Sequence, residues 1–423
     1  MTKRELLSVS IRTPQEHSGA IGFCSLLGGC LSAAVVAVAC GGINASGNAI
    51  MGGVAGSAGD SSSTGAVMST IGGAQALGGA TGGTKTNSGG AASTGGKKAV
   101  GGTASMATGG AAGTSGRVAR PGYNTGNGFF VVNGKLYDPS GNEFHIRGIN
   151  KLHWDAASPG FPKTHANTER WVIDFSQPTS TNLALMQQSI NAGIVPMPGN
   201  WDGTCDENTN TLTTIVDSWV AQAGAWKSID RYMILNIANE WGPAGTVWRD
   251  SYITAIGRLR AAGYLSTISV TSGGCGQDNP DLALYAAAVF NSDPQKNVIF
   301  DQHIYGMWAN GGGQSWQTDL ITGLNSLAAV GLPMIVGEFG PGRNLGPSPT
   351  PITPSEIIQA CDTRGIGWLA WAWDAPAYNA TDIDFALSLT GDYKSSADLS
   401  TFGKDVVENP TYGLLARAAP ATL

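Results

Sequence analysis

Aromatic side chains are missing from a long stretch of this chain: residues 41–120 contain no Phe, Trp or Tyr, yet they hold 24 of the 61 Gly. A run of Gly, Ala, Ser and Thr without large apolar side chains cannot bury enough surface to offset the entropy lost on folding. Residues 41–120 are therefore expected to be a disordered, flexible linker. Charge is also scarce, at 13% of the chain, and positive charge is scarcest where a core can form. Of 24 Lys and Arg, 8 precede residue 121; the remaining 16 face 27 Asp and Glu, a net charge of −11 on residues 121–423. That balance argues against nucleic acid as a partner and suits a neutral substrate. All 12 Trp lie between Trp154 and Trp373. The core therefore belongs to residues 121–423, a length that fits one large barrel better than two small domains.

Cysteine is sparse too, and its six residues divide evenly. Cys24, Cys30 and Cys40 fall in an N-terminal segment that starts with Lys3, Arg4 and Arg12, turns apolar from about Ala20 to Ala39, and ends Ala37-Val38-Ala39-Cys40-Gly41-Gly42. This is the layout of an export signal over residues 1–40. It resembles a bacterial lipoprotein signal, which makes Cys40 the candidate lipid anchor; an ordinary cleaved signal is the alternative, and the many Gly and Ala argue against a membrane-spanning helix. An extracellular or cell-envelope location follows, and with it an oxidising compartment. Cys205, Cys275 and Cys361 are left for the folded part, as one disulfide and one buried thiol. Their spacing suits no zinc site, and no metal or other cofactor is expected.

Phe129–Val132, the turn Asn133-Gly134 and Lys135–Tyr137 read as a hairpin that caps the bottom of a barrel. Eight apolar runs follow: Phe144–Ile149, Arg170–Asp174, Gly193–Met197, Tyr232–Ala238, Thr267–Thr271, Val298–Ile304, Pro333–Glu338 and Gly367–Trp373. Near-continuous apolarity separated by amphipathic stretches indicates parallel strands buried on both faces, and eight of them close a (β/α)8 TIM barrel. Thr353-Pro354-Ser355-Glu356 is a capping box, and Gly263 stops a helix running from about Val247. Between the first two strands the Pro-, Gly- and His-rich segment predicts a short or missing helix.

In such a barrel the chemistry sits at the carboxyl ends of the strands. Asn239-Glu240 follows the fourth run and Glu338 ends the seventh, which puts two carboxylates across the mouth from each other. A pair about 5 Å apart can protonate a leaving oxygen and attack an anomeric carbon. The dipeptide alone carries no signal, since Asn142-Glu143 also occurs, in a turn.

At this point the chain resembles glycoside hydrolase family 5, the cellulases and β-mannanases, over nearly all of residues 128–423. The motifs Ile146–Asn150, Asn239-Glu240, His303-Ile304-Tyr305, Gly337–Gly340 and Gly367–Trp373 fall in the family's order, and Asn236–Trp241 looks most like the bacterial mannanase branch. The resemblance implies a retaining, endo-acting hydrolase of β-1,4-linked mannan or cellulose, acting as a monomer. Glu240 would be the acid/base, Glu338 the nucleophile, and Asn239 a ligand of the sugar 2-hydroxyl. Arg170 would hold Glu338 ionised, Tyr305 would donate to it, and His303 would contact the sugar. Trp373 is the expected stacking platform for a pyranose, with Trp371 competing, since side-chain alternation puts both on one side of the strand. Trp154, Trp201, Trp241 and Trp308 are candidates for further subsites. Where the family has a His near the end of strand three, this chain has Pro196–Asp202, and Asn200 is the candidate replacement. Cys205 and Cys275 follow the third and fifth strands and so share the catalytic face, whereas Cys361 falls on a helix; the expected bridge is Cys205–Cys275. A non-catalytic carbohydrate-binding barrel and an exo-acting or transglycosylating enzyme of the same fold are the competing readings.

Overall fold

The computed structural model describes residues 116–153, 157–305, 316–341, 353–374 and 385–423. The export signal, nearly all of the linker, Trp154 and Trp308 lie outside the described residues. Strands β1 (Phe130–Val132) and β2 (Lys135–Tyr137) form the antiparallel hairpin. Its two-residue turn needs positive φ at both positions, and Asn133 (φ 50°) and Gly134 (φ 73°) supply it. Gly134 is required for a second reason: a Cβ there would lie 2.3 Å from the Gly331 carbonyl oxygen.

The barrel strands are β3 (Arg147–Leu152), β4 (Thr168–Ile173), β5 (Val195–Asn200), β6 (Ile234–Asn236), β7 (Thr267–Thr271), β8 (Val298–Ile304), β9 (Met334–Phe339) and β10 (Gly367–Ala370). They are parallel neighbours in sequence order, and β10 pairs with β3 to close the ring. Helices α1 (Thr179–Asn191), α2 (Thr209–Ala221), α3 (Thr246–Ala261), α4 (Asn279–Ser292), α5 (Trp316–Ala329) and α6 (Pro354–Asp362) alternate with the strands, and α7 (Thr401–Glu408) follows β10. The capping box of Thr353 and Glu356 opens α6, and Gly263 at φ 90° follows α3. Among its described residues the first connection carries only a 3₁₀ turn, Phe161–Thr164.

Six of the eight strands differ in their limits from the sequence expectation, and three of the differences have a visible cause. β3 starts at Arg147, because Phe144 and Ile146 pack instead with the hairpin's Phe129, Val131 and Leu136. β6 is three residues long, and past it Asn239 N–H donates to the Asn200 carbonyl at 2.7 Å. β10 ends at Ala370: beyond it Ala372 N–H donates to the Phe385 carbonyl and its own carbonyl accepts from Leu387, while Trp371 and Trp373 N–H still donate to Phe339 and Asn150 on the flanking strands.

Inside the barrel the lining changes along the axis. At the hairpin end Val195, Met197, Ile234, Ile299, Ile335 and Leu369 fill the lumen. At the carboxyl end the buried groups are Asn150, Arg170, Asn236, Asp301, His303 and Glu338.

Candidate active site

Arg170 on β4 stands in register with Asn150 on β3, and its guanidinium is fully buried. Nη1 donates to Glu338 Oε1 at 2.8 Å and to Asn150 Oδ1 at 2.9 Å; Nη2 donates to Asn236 Oδ1 at 3.2 Å and to Asn239 Oδ1. Tyr305 donates its hydroxyl to the other Glu338 oxygen at 3.1 Å. Both carboxylate oxygens of Glu338 are thus tied by donors, one of them a buried cation, and negative charge there is stabilised.

Glu240 is held differently. It follows β6 on a turn with φ 49°, a left-handed conformation that side chains other than Gly seldom adopt. Only 1% of it is exposed. Its Oε1 meets His303 Nδ1 at 2.7 Å, and its Oε2 lies 3.6 Å from Cys205 Sγ. Burial, reinforced by the charge of Glu338, raises its pKa to about 7 against the opposing pull of His303 and Arg170. On His303 burial works against the charge, but Glu338, Asp301 and Glu240 together push its pKa up to about 10. The buried groups here are one guanidinium, one imidazolium and three carboxyls. They sum to zero charge when one carboxyl holds a proton, which is the arrangement a low-dielectric site favours.

One oxygen from Glu240, one from Glu338 and a nitrogen of His303 all lie within 4.8 Å of one another. These three could surround a cation. With Arg170 and a protonated His303 already opposing the carboxylates, however, the set reads as proton-handling rather than metal-binding.

The remaining expected site residues divide. Asn239 Oδ1 is taken by Arg170, and its amide donates to Thr204 Oγ1 at 2.9 Å, which leaves one N–H for a ligand. Asn200 is buried with its amide turned to Asp202: Nδ2 donates to Asp202 Oδ2 at 2.9 Å, and Oδ1 accepts from Asp202 N–H. Trp371 packs with Tyr305, Phe385 and Leu152 at the mouth and lies parallel to Trp201, the ring centroids 5.6 Å apart.

Trp373 corrects the expectation of a stacking platform. It is fully buried in the outer core, edge-on to Phe161, and Nε1 is bonded to Ser158 and Gly391. The two Trp do not share a side: the regular strand ends at Ala370, and past it Ala372 between them pairs with Phe385 and Leu387, so strand alternation does not carry through. Trp241 is likewise core rather than subsite, packed against Tyr252 with Nε1 bonded to the Asn208 carbonyl. Cys205 and Cys275 are joined in a disulfide, and Cys361 is a buried thiol.

Sequence reasoning passed over Asn150, Asn236, Thr204 and Asp301 as site residues. Asp301 carried a readable signal, a charge inside the apolar run Val298–Ile304. It is fully buried, with Oδ2 3.6 Å from His303 Nε2, on the far side of the ring from Glu240.

A closed parallel barrel with a close carboxylate pair at its carboxyl mouth, one carboxyl ion-paired and the other desolvated, has the layout of a glycoside hydrolase. Residues 181–376 match the family model described as Cellulase (glycosyl hydrolase family 5). A mannan endo-1,4-beta-mannosidase of Salipaludibacillus agaradhaerens is 31% identical over 312 residues, covering 70% of this chain and 96% of the relative. One of Cellvibrio japonicus (strain Ueda107) is 28% identical over 313 residues, covering 70% and 69%. Among solved structures, the catalytic domain of the mannanase from Streptomyces sp. SirexAA-E superposes with a TM-score of 0.60 at 25% identity, covering 73% of this chain and 98% of that one. The mannohexaose complex of the Thermomonospora fusca beta-mannanase gives 0.59 at 25% identity, covering 70% and 99%. The chain belongs to glycosyl hydrolase family 5, and it is an O-glycosyl hydrolase.

Proposed function

We propose that this enzyme cleaves β-1,4-linked mannan at internal bonds with retention of configuration, Glu240 serving as acid/base and Glu338 as nucleophile. The observation that carries the reading is the carboxyl pair with oxygens within 4.8 Å, because a retaining mechanism uses groups about 5–5.5 Å apart and leaves no room for water between them. In the first step Glu338 attacks the anomeric carbon while the proton of Glu240 passes to the leaving glycosidic oxygen. In the second, Glu240 takes a proton from water, which displaces Glu338. Arg170 and Tyr305 each donate to one oxygen of the nucleophile and hold it aimed. Burial keeps the proton on Glu240 near neutral pH.

Trp201, half-buried and parallel to the buried Trp371, offers the flat apolar surface on which a pyranose ring stacks. The free N–H of Asn239 is placed to meet a sugar hydroxyl. Mannan rather than cellulose is favoured by the names of the relatives, mannan endo-1,4-beta-mannosidases. The export-type N-terminus and the Cys205–Cys275 bridge support a protein that works outside the cytoplasm.

Reducing-sugar release and viscometry on galactomannan, glucomannan, cellulose and xylan test the reading. A steep early viscosity drop on the mannans, with the first-formed anomer retained by proton NMR, is expected. Release of single sugars without loss of viscosity would point to exo action, and silence on both mannans would overturn the substrate assignment.

A further inference from the structure

We infer that the Cys205–Cys275 disulfide is a positioning element of the catalytic acid, clamping the loops on either side of Glu240 and walling one face of its carboxyl from water. The inference rests on the acid/base assignment above.

β5, β6 and β7 are consecutive in the barrel. Cys205 lies beyond β5 and Cys275 beyond β7, so the bridge arches over the loop from β6 that carries Glu240. That loop is stitched to both anchors. Cys205 N–H donates to the Glu240 carbonyl at 3.3 Å, Gly242 N–H to the Asp206 carbonyl at 3.1 Å, and Gly274 N–H to the Gly242 carbonyl at 3.0 Å.

The contact reaches the carboxyl itself. Cys205 Sγ lies 3.6 Å from Glu240 Oε2, and a bridged sulfur has no hydrogen to donate, so it covers the oxygen as an apolar wall. On the other flank the backbone at Gly276 closes on the same pair of side chains. A Cβ there would lie 2.8 Å from His303 Cγ and Nδ1 and 3.2 Å from Glu240 Cγ. Gln302 fixes that segment by donating to the Gly276 carbonyl at 2.8 Å.

The loop also has a conformation that needs holding. Gly274, Cys275 and Gly276 are all left-handed, with φ of 59°, 53° and 73°, and Cys205 has φ 55°. Cys gains nothing from that region. The covalent tie keeps both residues there.

The titratable and charged groups facing Glu240 are His303 from β8, Glu338 from β9 and Arg170 from β4, with Asp301 behind His303; the bridge adds no charge. Its influence is through geometry and solvent.

The test compares wild type with Cys205→Ala/Cys275→Ala on mannopentaose and on a 2,4-dinitrophenyl β-mannoside, whose leaving group needs no proton. For the variant, kcat on mannopentaose should fall roughly tenfold or more, the size of effect a small misplacement produces. Its alkaline limb should move toward acid, because water reaching Oε2 favours the carboxylate. The pre-steady-state burst of dinitrophenol should change little. Equal losses on both substrates, or a lower Tm with an unmoved limb, would overturn the inference and leave the bridge as a stability element.

If the double variant does not fold, wild type is assayed with and without dithiothreitol at a temperature where circular dichroism shows both forms native. The dithiol supplies two electrons and two protons, the S–S bond becomes two thiols, and the reagent closes to its cyclic disulfide. The same acid shift is expected, and an unchanged profile overturns the inference. Glu240→Gln with the bridge intact separates the two levels: near-native mannopentaose hydrolysis would remove the acid/base assignment and this proposal with it, whereas its loss beside an unmoved limb in the bridge variant overturns this proposal alone.

Discussion

The two ends of the barrel lumen are built from the same eight strands and obey opposite rules. At the hairpin end Val195, Ile234, Ile299 and Leu369 meet in a dry, uncharged plug whose only requirement is to fill space. At the carboxyl end, two or so residues further along the same strands, Asn150, Arg170, Asn236, Asp301 and Glu338 are just as buried and almost entirely polar. The plug contributes stability in proportion to area removed from water. The polar end costs desolvation, which its charge-assisted hydrogen bonds offset: Arg170 alone binds four side chains. Stability and chemistry are segregated along the barrel axis.

The largest break in that contrast should come from the polar end. Glu338→Gln keeps the shape and removes the nucleophile; turnover on every substrate should fall by roughly four orders of magnitude or more, measured as kcat/KM on mannan and on activated aryl glycosides alike. Near-native rates would show that the carboxyl merely decorates the mouth.

Acidity gives the next largest effect, and its sign follows from Glu240. A carboxyl whose pKa is raised to about 7 delivers its proton below that value and loses it above. Cleavage of unactivated mannan should therefore decline through pH 7 and drop about tenfold for each further unit, while substrates that need no proton escape the decline in their first step. A kcat/KM profile still flat at pH 9 would contradict this.

The smallest effect on activity should come from the plug. Ile299→Ala ought to lower unfolding stability by about 2–5 kcal/mol in denaturant titration and leave the alkaline limb of the folded enzyme where it was. A moved limb would mean that the two ends are coupled after all.

The same division explains what was legible in the sequence. Continuous apolar runs announce buried parallel strands whichever end they serve, so the eight-stranded barrel, the hairpin turn at Asn133-Gly134 and the α6 capping box were all readable. Thr267–Thr271 and Val298–Ile304 agree with β7 and β8 to the residue. Strand limits failed where an apolar side chain had another employer, as with Phe144 and Ile146 in the plug, and where polar, Pro or Gly residues continue the ladder, as with Thr168-Glu169 in β4 and Pro198–Asn200 in β5. Glu240 and Glu338 could be named because each follows or ends such a run and the family motifs give it a context. Trp373 was misplaced for a geometric reason: a period of two was extended past Ala370, where Ala372 pairs with Phe385 and Leu387 instead of a barrel neighbour. Asp301 and Asn236 had no role legible in the sequence, because a polar residue inside an apolar run marks a strand end without saying which neighbour it will meet.

Gly337 carries a consequence of another kind. A Cβ at this position would sit 2.0 Å from Asp301 Oδ1 and 2.4 Å from its Cγ, inside a fully buried site. A larger residue at 337 therefore fits only if the Asp301 carboxyl leaves its place beside His303, so this glycine is what allows an acid to stand behind the imidazole.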